Sequence, residues 1–181
     1  MKNNAVKFGI IAGFITATFT VIGGLLMANG SNDIGYKNSE ILGFSGIFLA
    51  FSMIVVAMIK ERQIAGGFIS YKNTFMVGLK ISLIASAFYV AAWMIMIAIY
   101  PQILEMMFAM MEKNLMASEL SPEDLKDQLD QMTKWKGYYA NPFMKAIMTF
   151  MEIFPIGLII SLIAAIFIQK KPAIKSEEVL D

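Results

Sequence analysis

Residues 146–168 read AIMTFMEIFPIGLIISLIAAIFI, and Glu152 is the only charged residue among them. An α-helix needs roughly 20 apolar residues to cross the hydrocarbon core of a bilayer, at about 1.5 Å per residue. Three more stretches satisfy this requirement, and only Lys80 is charged among them: residues 8–28, 41–59 and 75–99. All four lack the strict alternation of an outer-membrane barrel strand. The sequence therefore predicts an all-α, integral membrane bundle of four transmembrane helices.

The composition is also that of a membrane protein. Of 181 residues, 57% are hydrophobic and 16% are charged, and the mean hydropathy is +0.63. Ordinary soluble domains are about 45–50% apolar and about a quarter charged, and disordered chains are poorer still in apolar residues. The net charge of +1 provides no field that would attract nucleic acid. We expect a single membrane domain over residues 1–181, with the lipid bilayer as its partner and no nucleic acid.

Several residue types needed for common catalytic chemistry are missing from the sequence. It contains no Cys and no His, which removes thiolate chemistry, the usual general base and the commonest metal ligand. A P-loop, a dinucleotide-binding glycine pattern, a zinc-protease motif and a nucleophile elbow are absent as well. We therefore expect that the protein is not an enzyme and that it holds no cofactor and no metal.

Residues 100–145, between the third and fourth spans, are too numerous for a bare loop. Apolar residues at helical spacing continue beyond Pro101; they are Ile103, Met107, Met110, Met111 and Leu115. A second helix is predicted to begin at Ser121, with Pro122 in its first turn. We expect an amphipathic helical segment, in which the acidic residues of 119–130 form a solvated helix face rather than a calcium loop.

Lys and Arg residues cluster on one side of the predicted bundle. They flank the N-terminus, the link between spans two and three, and the tail: Lys2, Lys7, Lys60, Arg62, Lys72, Lys170, Lys171 and Lys175. Cytoplasmic loops carry an excess of such residues. We expect both termini to be cytoplasmic and residues 100–145 to be extracytoplasmic.

Residues 29–40, the first connection, are rich in turn-forming residues and are expected to be a short loop that ends at Ser39, the N-cap of the second helix. The first span is expected to remain in the mature protein. Its apolar core is longer than the usual 7–15 residues or so of a signal peptide, and no clear cleavage site follows.

Small residues recur four positions apart in every predicted span. This spacing lets helix backbones approach closely in lipid, where little hydrophobic force drives helices together. The candidate packing residues are Gly9, Gly13, Gly46, Gly78, Ser82, Gly157 and Ser161. We interpret them as contacts within one chain; the alternative is a homodimer through Gly9 and Gly13, which form the strict Gly-x-x-x-Gly pair.

Glu152 is the most informative polar residue, because a carboxylate inside a span is costly and usually faces the bundle interior or a wet cavity. Pro155 follows it and removes the hydrogen bond to the carbonyl of Met151. The arrangement resembles the polar sites of discontinuous transporter helices. In the alternative interpretation, Glu152 is structural and hydrogen-bonds to a neighbouring helix. Lys80 is not expected to pair with Glu152, because their depths differ by roughly 18 Å.

The sequence contains 16 Met residues, and Met106, Met107, Met110 and Met111 stand together in the third connection. Thioethers suit Cu(I). Since neither His nor Cys is available to complete a site, we prefer the interpretation that Met fills helical interfaces.

Three local motifs carry a family resemblance: Gly9 and Gly13 in the opening helix, the segment GGFISYKN at 66–73 that leads to Gly78, and EIFPIG at 152–157. With them the chain resembles domain-of-unknown-function family four-one-nine-nine, a family of small four-helix bacterial membrane proteins. The resemblance implies a bacterial inner-membrane location, and it implies no activity, substrate or catalytic residue.

Three hypotheses for function follow. In the first, a non-enzymatic membrane protein acts through helix packing or association, with a second copy or another membrane protein as partner. In the second, a small transporter or channel component uses Glu152 and Pro155, which requires an accessible cavity that reaches Glu152. A membrane enzyme would need a second polar group beside Glu152, and the candidates are Glu40, Lys145 and Tyr89.

Overall fold

The computed structural model of the chain describes residues 2–29 and 33–170, apart from the side chains of residues 2, 3, 33–37 and 40. Its helices are α1 (Lys2–Asn29), α2 (Asp33–Ile64), α3 (Tyr71–Ile99), α4 (Gln102–Met116), α5 (Pro122–Ala140) and α6 (Pro142–Ile168). Four of them, α1, α2, α3 and α6, contain segments long and apolar enough to cross a membrane. The predicted all-α membrane bundle is confirmed.

The spanning helices extend beyond the predicted apolar stretches. Helix α2 begins at Asp33 and runs to Ile64, so the prediction that Ser39 caps this helix is wrong. Polar residues at the end of a span can keep their backbone hydrogen bonds within the helix, so hydropathy underestimates its length. Helix α6 begins at Pro142 because Asn141 caps it: the Asn141 Oδ1 accepts hydrogen bonds from the backbone N–H groups of Phe143 and Met144, at 2.9 and 3.3 Å.

Four helices pack around a core of fully buried apolar side chains. Helix α1 packs along both α2 and α3, whereas α6 packs along α3 and meets α2 over a shorter stretch. The largest buried side chains come from α2, α3 and α6 and include Phe51, Ile54, Met58, Ile81 and Ile153. The core therefore lies where these three helices meet.

The side of the bundle that carries the N-terminus, the α2–α3 link and the end of α6 is called the terminal side here. Gly66 and Gly67 end α2 with φ angles of 75° and 90°, in the left-handed region that glycine tolerates best. Ile69 and Lys170 then exchange two backbone hydrogen bonds of 2.9 Å. Arg62 donates a further bond of 3.2 Å to the carbonyl of Ile168. These bonds connect the link to the end of α6.

Helices α4 and α5 form a hairpin across the opposite side, called the hairpin side. Helix α3 ends before Pro101, and Ile103 of α4 is buried against Met27 and Met96 of the spanning helices. Helix α5 begins as predicted at Ser121, whose Oγ accepts a hydrogen bond of 3.1 Å from the backbone N–H of Asp124. The acidic side chains of α5 are exposed. The hairpin thus covers one end of the bundle.

Candidate functional site

The predicted packing glycines lie at close approaches between helices of this chain. A Cβ atom at Gly9 would lie 2.8 Å from Ile84 Cδ1, and one at Gly13 would lie 2.6 Å from Phe88 Cγ. Both neighbours belong to α3, so the Gly9–Gly13 face of α1 is occupied within the chain. A homodimer through this face would have to displace α3.

The other small residues mark two further helix crossings. Gly46 of α2 lies against Phe19 of α1. A Cβ at Gly157 would lie 2.7 Å from both Phe51 Cζ and Ser82 Oγ, and one at Gly78 would lie 2.5 Å from Ser161 Oγ. The hydroxyl oxygens of Ser82 and Ser161 are 3.2 Å apart and fully buried. Each hydroxyl also lies within hydrogen-bond distance of the carbonyl four residues earlier, at 2.9 Å for Ser82 and 2.7 Å for Ser161, so one hydroxyl donates to the other only in place of that bond.

Glu152 lies on the edge of the buried face of α6. Its neighbour Ile153 is fully buried, whereas Met151 on the other side is 56% exposed. The Glu152 side chain is itself accessible, because it borders two cavities in the hairpin half of the bundle. The transporter hypothesis requires an accessible cavity that reaches Glu152, and these two cavities are the candidates for it.

The first of these spaces, the central cavity, has a volume of about 210 Å³ and lies among α1, α2, α3, α4 and α6. Its polar lining residues are Thr20, Ser39, Tyr89, Trp93 and Glu152. Three glycines also line it, namely Gly23, Gly24 and Gly43. A Cβ at Gly43 would meet no atom within 4 Å, whereas one at Gly24 would lie 2.7 Å from Met96 Cε, so the missing side chain at Gly43 is the one that leaves space.

The second space, the hairpin groove, has a volume of about 570 Å³ and separates the α4–α5 hairpin from α6. Thioethers and aromatic rings dominate its lining: Met107, Met111, Met148, Met151, Phe108, Trp135 and Tyr139, together with Ile147 and Glu152. Met107 and Glu152 line both spaces. The carboxylate therefore stands at the junction of the central cavity and the hairpin groove.

The carboxylate of Glu152 has no hydrogen bond or ion pair with any residue in the described part of the chain, Lys80 and Lys145 included. The phenols of Tyr89 and Tyr139 lie within range of its charge. Tyr139 lies outside the spans. Burial raises the pKa of its phenol, and the charge of Glu152 raises it further. A hydrogen bond with Thr149 lowers the same pKa. An acceptor group at this junction is thus available to a ligand.

Of the three groups considered as a second polar partner, Tyr89 shares a cavity with Glu152. Lys145 lines neither of the two spaces, and the side chain of Glu40 lies outside the described residues. Helix α6 continues without interruption through Pro155. The resemblance to discontinuous transporter helices is therefore limited to one group, the carbonyl of Met151. This carbonyl has no helical N–H donor because residue 155 is proline.

Two features of the structure were not predicted. Thr20 and Trp93 join the site because α1 and α3 face the same space. Glu61 is fully buried at the terminal end of α2. The sequence KER at 60–62 reads as a solvated link, but Glu61 lies three and seven residues after the buried Met58 and Ile54. That helical spacing is the signal that could have placed it inside.

The Met residues of α4 separate into two environments. Met106 and Met107 pack beside the buried cluster around Ile103, and Met107 and Met111 line the hairpin groove. Within residues 2–29 and 33–170, no group of three or more carboxylate side chains could hold a metal ion.

Residues 7–170, which include most of α1 and all of α2 to α6, match the family described as protein of unknown function (DUF4199). The chain belongs to this family. Neither a curated protein nor a solved structure matches it. Because the family description names no activity, the function has to be inferred from the geometry around Glu152.

Proposed function

We propose that the protein is a small, non-enzymatic transporter component that binds an organic cation at Glu152. The observation that carries the proposal is the accessible carboxylate at the junction of the central cavity and the hairpin groove, where no residue in the described part of the chain pairs with it. An intramembrane acid of this kind usually belongs to a substrate or ion pathway. We place the protein in a bacterial inner membrane with its termini in the cytoplasm, since Lys60, Arg62 and Lys72 flank the terminal side.

The lining favours an organic cation over a bare metal ion. Hard metal cations need about six oxygen ligands, and the junction supplies a single carboxylate. The rings of Trp93, Trp135 and Tyr139 offer faces that attract a positive charge once it leaves water. Thioether side chains are flexible and adapt to ligands of different shape. An ammonium group with apolar substituents can contact all three kinds of lining group, namely the carboxylate, the aromatic rings and the thioethers.

The shape of the bundle supports transport rather than storage. The two spaces lie in the hairpin half, whereas closely packed side chains around Phe51, Ser82 and Ser161 fill the path toward the terminal side. To release a ligand there, α6 would have to separate from α3 at the Ser82–Ser161 contact. Pro155 lies between Glu152 and that contact, at the point where α6 lacks one backbone hydrogen bond.

Calorimetry with benzyltrimethylammonium tests the proposal on protein held in phosphatidylcholine nanodiscs. This cation is permanently charged, so its binding does not depend on protonation of the ligand. Glu152→Gln removes a charge-assisted contact, and we expect about ten- to a hundredfold weaker binding. The matched control is Glu123→Gln, the same change at an exposed position of α5, which should bind as the wild type does.

Equal binding by the wild type and Glu152→Gln would overturn the proposal, as would undetectable binding by the wild type. In either case the hypothesis of helix association would be left as the better one. Uptake of the cation into proteoliposomes then tests the transport step: we expect uptake by the wild type and none above background by Glu152→Gln.

A further inference from the structure

A third space opens toward the lipid on the outside of the bundle. This lateral groove has a volume of about 430 Å³ and runs between α3 and α6. Its lining includes Ala87 and Ala91 of α3 and the aromatic residues Phe143 and Phe150 of α6. Every residue that lines it is apolar. The groove therefore suits a hydrocarbon chain.

The three spaces adjoin one another, because neighbouring spaces share lining residues. Ile147 and Met151 line both the lateral groove and the hairpin groove. Glu152 and Met107 line both the hairpin groove and the central cavity. The three spaces thus adjoin one another around α6, and the side chains of Ile147 and Met151 stand between the lateral groove and the space that reaches the carboxylate.

We infer that the ligand is a single-chain amphiphile with a cationic head, which enters sideways from the bilayer. Its head binds at Glu152 and its tail lies in the lateral groove. This inference rests on the proposed function and names the class of its ligand. The groove lies between two packed helices, whose axes are about 8–10 Å apart, so it accommodates one chain rather than two.

Charge separates this ligand from the surrounding lipid. The tail of any phospholipid could lie in the lateral groove, because the groove is as apolar as the bilayer. A phosphate at the head would be repelled by the Glu152 carboxylate, since like charges at close range in a partly dry site repel strongly. A head with a positive charge and no phosphate is attracted instead. The selectivity therefore lies in the head, and the groove fixes the direction of entry.

The test compares two cations that differ in their tails, benzyltrimethylammonium and decyltrimethylammonium, on protein in phosphatidylcholine nanodiscs. Ala91→Trp fills the lateral groove from a position that lines neither space that Glu152 borders. We expect it to weaken binding of the decyl compound at least tenfold and to change binding of the benzyl compound less than twofold. Ala98→Trp is the matched control, because Ala98 is exposed two turns further along the same face of α3 and lies outside the groove.

The outcomes separate this inference from the proposed function. If neither cation binds in a way that depends on Glu152, the proposed function fails and this inference with it. If the benzyl compound depends on Glu152 but Ala91→Trp leaves the decyl compound unaffected, only the lateral route is wrong.

A second measurement needs no change in the groove, in case Ala91→Trp does not fold. A decyltrimethylammonium analogue with a diazirine at the end of its tail should label residues 87–91 and 143–151 of the wild type and lose that labelling in Glu152→Gln. If Glu152→Gln left the labelling of these segments unchanged, the inference would be overturned.

Discussion

Replacement of Gly157 by alanine should show how tightly α6 is held against its neighbours. The added Cβ would lie 2.7 Å from Phe51 Cζ and 2.7 Å from Ser82 Oγ, whereas carbon atoms in contact are normally about 3.5–4.0 Å apart. Both neighbours are fully buried, so neither can move without disturbing the core. Overpacking of this kind costs about 1–3 kcal/mol.

The matched control is Gly43→Ala on α2, because a Cβ there meets no atom within 4 Å. Both variants gain the same helix propensity, about 1 kcal/mol for alanine over glycine. The difference between the two variants therefore isolates the steric cost, and we expect Gly157→Ala to be about 1–3 kcal/mol less stable than Gly43→Ala.

Reversible unfolding in mixed detergent micelles measures this difference, and the near-ultraviolet circular dichroism of the two Trp residues reports the tertiary structure. If Gly157→Ala were as stable as Gly43→Ala, α6 would not contact α2 and α3 as closely as described, and the reasoning would be refuted.

Two further predictions concern polar groups. The hydrogen bond between Ser82 and Ser161 should give a coupling of about 0.6 kcal/mol in a double-mutant cycle with alanine, and a coupling of zero would show that the two hydroxyls do not interact. The pKa of Tyr139 is raised above 10 by burial and by the charge of Glu152, so its contribution to stability is fully present below about pH 10 and is lost as the pH rises from there through the folded-state pKa. Glu152→Gln should lower that pKa, as measured by tyrosinate absorbance, and an unchanged titration would place Glu152 away from the phenol.

The four spans could be predicted because a bilayer sets a length that uninterrupted apolar sequence must meet. Their ends could not, since hydropathy stops at the first polar residues while the helix continues. In α2 the first helical residues, from Asp33 onward, therefore lie before the predicted apolar stretch, and the buried Glu61 lies after its end.

Glu152 stands out in the sequence because it is a lone acid in an apolar stretch. Its surroundings could not be predicted in the same way. The central cavity is lined by Gly23 and Gly24 of α1 and by Gly43 of α2, and that depends on how the two helices are rotated against each other. The hairpin groove depends on where α4 and α5 fold back. Neither geometry is encoded in the periodicity of a single helix.

The most direct test of the account is a crystal structure with the arsenic analogue of benzyltrimethylammonium, whose arsenic atom is located by anomalous scattering. The account predicts one strong anomalous peak within about 4–6 Å of the Glu152 carboxylate, near the rings that attract the cation, and no such peak in Glu152→Gln. A wild-type structure whose arsenic lies elsewhere, or in which the Glu152 side chain points into lipid with no cation beside it, would contradict the account.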